Sequence, residues 1–197
     1  MEINKGLTTV GYTDRHLGFV EEFCKGCQTA GYKNNESLEA MKLEWCLSRG
    51  GQFFLTYFND RIISLSGCHP LKELGDRVYR VLFRGATLPE YQNMLGIMSK
   101  SHMNSIGFYD HLPRQVKWAT PANYETFVVT TNHNNQDGIE SMSKSHRVFQ
   151  LLEKQGIVDC MHRNFKLFYT DQSVWKINLD QYNTARQAFT NRQNELS

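Results

Sequence analysis

The sequence predicts an α/β (α+β) fold: a mixed, mostly antiparallel twisted sheet flanked by helices. Three observations predict it. The β-rich runs QFFLTYF and RIISLSGCH meet at Asn59-Asp60, a two-residue hairpin signal. RVYRVLFRGATL and YETFVVTTN are two further strong strands, and the stretch between them has a helical pattern. A strand–helix–strand unit closes by a right-handed crossover into a parallel pair, so the sheet is mixed rather than doubly wound.

The elements follow in order. In RHLGFVEEFCKGCQTAG, Leu17, Val20, Phe23, Cys24 and Cys27 recur at helical spacing, with Asp14 as the expected cap and Gly31 at the left-handed C-terminal position. A second helix starts at Asn35 or Ser37 and runs through Leu38, Met41 and Leu43 to about Leu47, ended by Gly50-Gly51. With Ser37 as cap, the residue three places on is Ala40, so no capping box assists it. After the hairpin and RVYRVLFRGATL, a helix is expected from Tyr91 to about Ile106, then a short one around Pro113 and RQVKWA. The strand YETFVVTTN leads into the polar loop NHNNQDG, and SHRVFQLLEKQG is a helix ended by Gly156. FKLFYTD and SVWKINL make a final hairpin. The reading assigns residues 1–179 to one domain and 180–197 to a polar helical tail that frays.

A chain of 197 residues is long enough for one sizeable core. At 40% hydrophobic and 12% aromatic it is an ordinary globular sequence. A net charge of +2, with both signs interspersed, leaves no electrostatic footprint for nucleic acid. No apolar run has membrane-spanning length and MEINKGLTTVGY has no signal-peptide core, so the expected compartment is the cytoplasm. Five scattered cysteines suit free thiols in a reducing compartment. Cys24 and Cys27 form a CxxC pair late in a helix, on its apolar side. Core packing therefore explains them better than a redox or metal motif, and no metal is expected.

Three passages resemble the GNAT-type N-acetyltransferase superfamily. QFFLTYFNDRIISLSGCH is similar to the family's second and third strands, and LFRGATLPEYQNMLGIM to its fourth strand and pyrophosphate loop. HRVFQLLEKQGI is similar to the late helix that in the family ends Tyr-Glu-Lys-Leu-Gly-Phe. The resemblance spans roughly Asp14 to Leu179 and implies acetyl-CoA as co-substrate, held where two parallel strands splay. The family loop carries glycines that let backbone N–H groups approach the pyrophosphate. Here Gln92 is followed by Asn93, Met94 and Leu95; counting from Asn93 puts Gly96 in the glycine place, Ile97 next, and Met98 in the small-residue place. The family tyrosine that protonates the leaving thiolate is replaced by Leu152.

The resemblance thus implies a cofactor site of Ala86, Thr87, Leu88, Gln92, Asn93, Leu95, Gly96, Ile97 and Met98, with the Ser145 N–H near phosphate. Glu90 is a candidate proton relay, His133 a base of suitable ordinary pKa, and Tyr169 a replacement acid. Tyr57 and Asn132 are candidate substrate contacts. Met-Ser-Lys-Ser-His occurs identically at 98–102 and 142–146. The second copy resembles the lysine–serine loop of class I aminoacyl-tRNA synthetases, but Ser141 replaces that loop's first lysine and no His-x-Gly-His exists, so that match is rejected. The expected function is acetyl transfer to a small-molecule or peptide amine by direct attack, with no nucleic-acid or membrane partner; a homodimer is compatible with it. The alternative is a GNAT-like module that binds without catalysis.

Overall fold

The computed structural model describes residues 6–92, 95, 105–133, 144–167 and 170–195. Seven strands form one sheet in the order β1-β2-β3-β4-β5-β7-β6. They are β1 (Leu7–Gly11), β2 (Gln52–Phe58), β3 (Arg61–Pro70), β4 (Val78–Thr87), β5 (Thr126–Asn132), β6 (Val158–Leu167) and β7 (Thr170–Ile177). Every neighbouring pair is antiparallel except β4–β5, which is parallel.

One face carries α1 (Leu17–Thr29), α2 (Leu38–Met41) and α3 (Leu43–Ser48). There Val20, Phe23, Cys24 and Cys27 pack with Met41, Phe53, Leu55, Leu65 and Phe83. Both cysteines of the CxxC pair are buried, and burial pushes the Cys24 thiol up to about 11 and Cys27 to about 12. The other face carries α4 (Leu112–Ala119), α5 (Lys144–Lys154) and α6 (Leu179–Glu195), packed on Phe54, Tyr79, Val81, Phe127 and Trp175. Alternation along the strands divides the two cores: Phe53 and Leu55 face α1, whereas Phe54 faces α4.

Local sequence accounts for the element ends. Asn59 and Asp60 take φ of 47° and 61°, the positive values that a type I′ hairpin turn requires. Ser37 caps α2 by accepting the Ala40 N–H at 3.0 Å. Ser37→Ala should therefore lower stability by about 1 kcal/mol in urea unfolding, with no effect on ligand binding. Lys42 adopts a left-handed conformation and splits the expected second helix into α2 and α3. Ahead of the first helix, Thr13 caps a 3-10 turn, Asp14–His16, and its N–H donates to His16 Nδ1 at 2.9 Å; His16, rather than Asp14, is the cap of α1. Gly31 and Gly156 follow α1 and α5 at φ of 76° and 70°.

Four stretches differ from expectation or fall outside it. β1 was not expected from the sequence, and β6 begins at Val158, well before Phe165. α6 packs on the domain: Tyr182 Oη donates to the Phe108 carbonyl at 2.6 Å, Arg186 Nε donates to that of Tyr109 at 2.8 Å, and Phe189 is buried. The helix expected over Tyr91–Ile106 lies mostly outside the described residues; Pro89–Tyr91 is a 3-10 turn, and a π-helical turn, Gly107–His111, runs into α4. Among the described residues no helix is long and apolar enough to cross a membrane.

Candidate functional site

The parallel strands β4 and β5 are joined for only three residue pairs, Val78–Thr126, Tyr79–Phe127 and Arg80–Val128. Beyond these, β4 continues to Thr87 and β5 to Asn132 without pairing to each other. The result is a fork whose inner edges lack the usual sheet partner.

β4 is bent into this path by two irregularities. Its register against β3 slips between Leu65 and Gly67, and again between Gly67 and His69. Leu82 and Arg84 take φ of 53° and 49°, values uncommon for residues with a Cβ. As a consequence Val81 and Leu82 both face the α4 side, while Arg80 and Phe83 lie on the α1 side.

A buried polar network fixes the bulge. The Leu82 N–H donates to Gln115 Oε1 at 2.8 Å, and Gln115 Nε2 donates to the Ser66 Oγ at 2.8 Å and carbonyl at 3.2 Å. Ser66 Oγ lies 2.8 Å from His111 Nδ1, and His111 Nε2 lies 2.7 Å from Thr56 Oγ1. Thr56, Ser66, His111 and Gln115 are all buried, and burial pulls the His111 imidazole down to about 4.

On the α1 side, the connection between α1 and α2 leans over the free part of β4. Tyr32 Oη donates to the Thr87 carbonyl at 3.2 Å, Asn35 Nδ2 donates to that of Arg84 at 2.7 Å, and Arg84 Nη1 donates to Asn34 Oδ1. The floor on this side comes from Arg80 of β4, Thr130 of β5 and Gln172 of β7: Arg80 Nη2 donates to Thr130 Oγ1 and, at 3.4 Å, to Gln172 Oε1. His69 stands beside them, its ring 4.9 Å from that of Trp45 and 4.8 Å from that of Phe83. Burial, with Arg80 nearby, pulls His69 down to about 3.

The residues expected from the sequence divide around this fork. Thr87 turns its backbone toward the fork, whereas Ala86 pairs with Leu65 of β3 and its carbonyl accepts from Ser64 Oγ at 3.1 Å, and the Leu88 N–H donates to the Ile63 carbonyl at 2.9 Å and is not available to a ligand. Gln92 donates to Tyr32 Oη, and Leu95 is buried in the core. Glu90 pairs with Arg61 at 3.4 Å on the rim of a cleft of about 330 Å³ shared with Gly26, Thr29, Ala30, Leu88 and Pro89.

His133 directly follows β5, its Nε2 2.9 Å from Ser173 Oγ and its ring 4.9 Å from that of His146. Asn132 ends β5, and Ser145 is exposed in the first turn of α5. Tyr57 lies on β2, separated from β4 by β3, with its ring near those of His16 and Phe19. Leu152 is fully in the core, so a tyrosine there would overpack it instead of supplying an acid. Asn93, Gly96, Ile97, Met98 and Tyr169, and most of the repeated segments, lie outside the described residues. Sequence reading missed Arg80, Arg84, His111 and Gln115, which no motif singles out.

No family model and no curated protein matches the chain. Solved structures do. An acetyltransferase from Streptococcus agalactiae superposes with a TM-score of 0.56 at 16% identity, over 88% of this chain and 98% of that one. A GNAT-family acetyltransferase from Elizabethkingia anophelis with acetyl-CoA bound gives 0.53 at 14% identity, over 88% and 98%. A chimera of the Vibrio cholerae spermidine N-acetyltransferase gives 0.51 at 13% identity, over 91% and 99%. The chain therefore has the fold of the GNAT acetyltransferases.

Proposed function

We propose that the protein is an acetyl-CoA-dependent N-acetyltransferase that transfers the acetyl group directly to an amine. The observation that carries this reading is the β4–β5 fork, parallel for three pairs and then open. Its free edges fit a pantetheine arm, whose amides pair as a strand would. Acetyl-CoA, when bound, supplies the activated acyl carbon. The protein's part is to align that carbon with the amine, which turns a bimolecular step into a unimolecular one. A backbone N–H on the free edge of β4 polarises the thioester carbonyl, with Thr87 the position involved.

His133, at the end of β5 and oriented by Ser173, receives the proton of the attacking amine. Glu90 is held by Arg61 on the α1 side, which makes it a relay at the rim rather than the base. No phenol stands at Leu152, so the thiolate departs without an acid from α5. Acetyl-CoA in the related Elizabethkingia structure and the amine acetylated by the spermidine enzyme support both halves of the reaction. Five free cysteines support a reducing, cytoplasmic setting.

The expected result is a thermal shift. Acetyl-CoA at about a hundredfold its Kd adds about 2.7 kcal/mol of stability by mass action, a Tm increase of several degrees. Binding accompanied by release of free CoA on addition of amines supports the enzyme. Binding with no turnover on any amine, which the absence of a phenol at Leu152 favours, would identify a non-catalytic module. No shift at millimolar acetyl-CoA, with the protein folded, sinks both.

A further inference from the structure

We infer that Ser173 is a positioning residue for His133: it holds the imidazole in the Nε2–H tautomer and leaves Nδ1 as the atom that takes the proton of the attacking amine. The inference rests on the acyltransferase reading. It adds the reactive atom of the base and the residue that selects it.

The cluster assembles on the α5 side of the sheet. Thr131 of β5 pairs with Ser173 of β7, so the two share a face. Trp175, two residues after Ser173, donates Nε1–H to Thr131 Oγ1 at 2.8 Å on that same face. His133 follows Thr131 by two residues and reaches Ser173 across the strand, Nε2 to Oγ, at 2.9 Å. From α5, His146 sets its Nδ1 3.1 Å from Thr131 Oγ1 and its ring 4.9 Å from that of His133, at 64°.

Ser173 has one hydroxyl proton and two partners. Its Oγ lies 3.1 Å from the Arg163 carbonyl as well as 2.9 Å from His133 Nε2. The Arg163 carbonyl comes within reach because β6 bulges there. His162 stands opposite Val174 and Phe165 opposite Gln172, so Arg163 and Asn164 share Ser173 between them. A carbonyl only accepts, and the hydroxyl proton therefore goes to Arg163. Turned to His133 instead, it would leave two oxygens facing each other at 3.1 Å with no hydrogen between them, at a side chain 1% exposed.

With its proton committed, Ser173 Oγ accepts, and His133 Nε2–H is the donor. A neutral imidazole carries one proton, so the free lone pair is on Nδ1. Among the described residues nothing hydrogen-bonds to that atom, and His133 is part-exposed, within reach of a ligand. The proton released as the amine nitrogen bonds the acyl carbon, and as the thioester C–S bond breaks with its electron pair on sulfur, passes to Nδ1. The imidazolium so formed still donates Nε2–H to Ser173. One anchor serves the base before and after proton uptake, and nothing has to reorganise during the step. The His146 ring stands against His133 and resists the flip that would exchange the two nitrogens.

The test uses the whole chain with ¹⁵N-labelled histidines. Two-bond ¹H–¹⁵N correlation spectra above neutral pH distinguish the tautomers, and His133→Gln assigns the signal. Wild-type His133 should show the Nε2–H tautomer alone. Ser173→Ala should give a mixture of tautomers and lower kcat for amine acetylation by on the order of tenfold. It should leave KM and the acetyl-CoA thermal shift close to wild type, and Ser173→Thr should restore both the single tautomer and kcat. The wild-type spectrum decides the tautomer even where Ser173→Ala fails to fold.

A wild-type His133 with its proton on Nδ1, or in a mixture of forms, overturns the inference and leaves the acyltransferase reading standing. A folded Ser173→Ala with unchanged tautomer and kcat overturns the role of Ser173. Undiminished turnover in His133→Gln overturns His133 as the base. No CoA release with any amine, the tautomer being Nε2–H, removes the enzyme reading and keeps the anchored imidazole.

Discussion

Between pH 7 and pH 5 the protein is expected to lose on the order of 4 kcal/mol of stability, because two buried histidines are held neutral in the fold. His111 is enclosed by Thr56 and Ser66, and its pKa is pulled down to about 4 by burial, against the attraction of Asp110. His69 donates Nδ1–H to the Pro70 carbonyl at 2.7 Å and has no described partner at Nε2. Burial and Arg80 pull it down to about 3. In the unfolded chain both titrate near 6.5, so below that pH the unfolded state binds more protons than the native one. The stability each contributes is complete above the unfolded pKa and is lost progressively as pH falls toward the folded value. Urea midpoints measured at half-unit steps should fall steadily from pH 6.5 downward. His69→Phe removes one of the two titrations and should roughly halve the slope, whatever it does at pH 7. A stability profile flat from pH 7 to pH 5 would show that neither imidazole is held neutral.

The framework of this fold was legible because it follows from backbone chemistry. Asn59-Asp60 announces its turn through two positive φ values, and the helix between the third and fourth strong strands dictates their parallel pairing. β1 escaped notice because Leu7–Gly11 is short and half-exposed, and borrows its order from β2. The start of β6 escaped for a related reason: Asp159, Met161, His162, Arg163 and Asn164 are exposed and carry little alternation. Lys42 breaks a run that reads as one helix, and only tertiary packing of Met41 and Leu43 on opposite sides of that break explains it.

The candidate site was legible as a place and not as a set of side chains. Along a regular strand Arg80 and Phe83 would face opposite sides, so no pattern argument joins them. Two register slips bring Arg80, Phe83 and Arg84 together, and the β4 residues that take positive φ there, Leu82 and Arg84, are not glycine and so do not announce the irregularity in the sequence.

Replacing Gln115 by leucine should cost about 2–4 kcal/mol of stability and weaken acetyl-CoA binding beyond what lost stability explains. The substitution nearly preserves volume at a fully buried position, so no cavity forms. What is lost is the acceptor for the Leu82 N–H and the donor shared by the Ser66 hydroxyl and carbonyl. The Ser66 hydroxyl keeps His111, but the Leu82 N–H stays buried without its acceptor, which is the expensive side of hydrogen-bond energetics. Leu82 is also where β4 leaves the path of β5, with a φ of 53° that its own side chain disfavours. Without Gln115 to hold its N–H, the strand is free to relax toward regular geometry and narrow the fork. Ser37→Ala, remote on α2, is the control for stability alone. The Gln115→Leu protein should show a lower urea midpoint and a smaller acetyl-CoA thermal shift, while Ser37→Ala changes only the first. If both variants keep the wild-type ligand shift, the bulge does not depend on Gln115, and the fork is set by β3–β4 pairing alone.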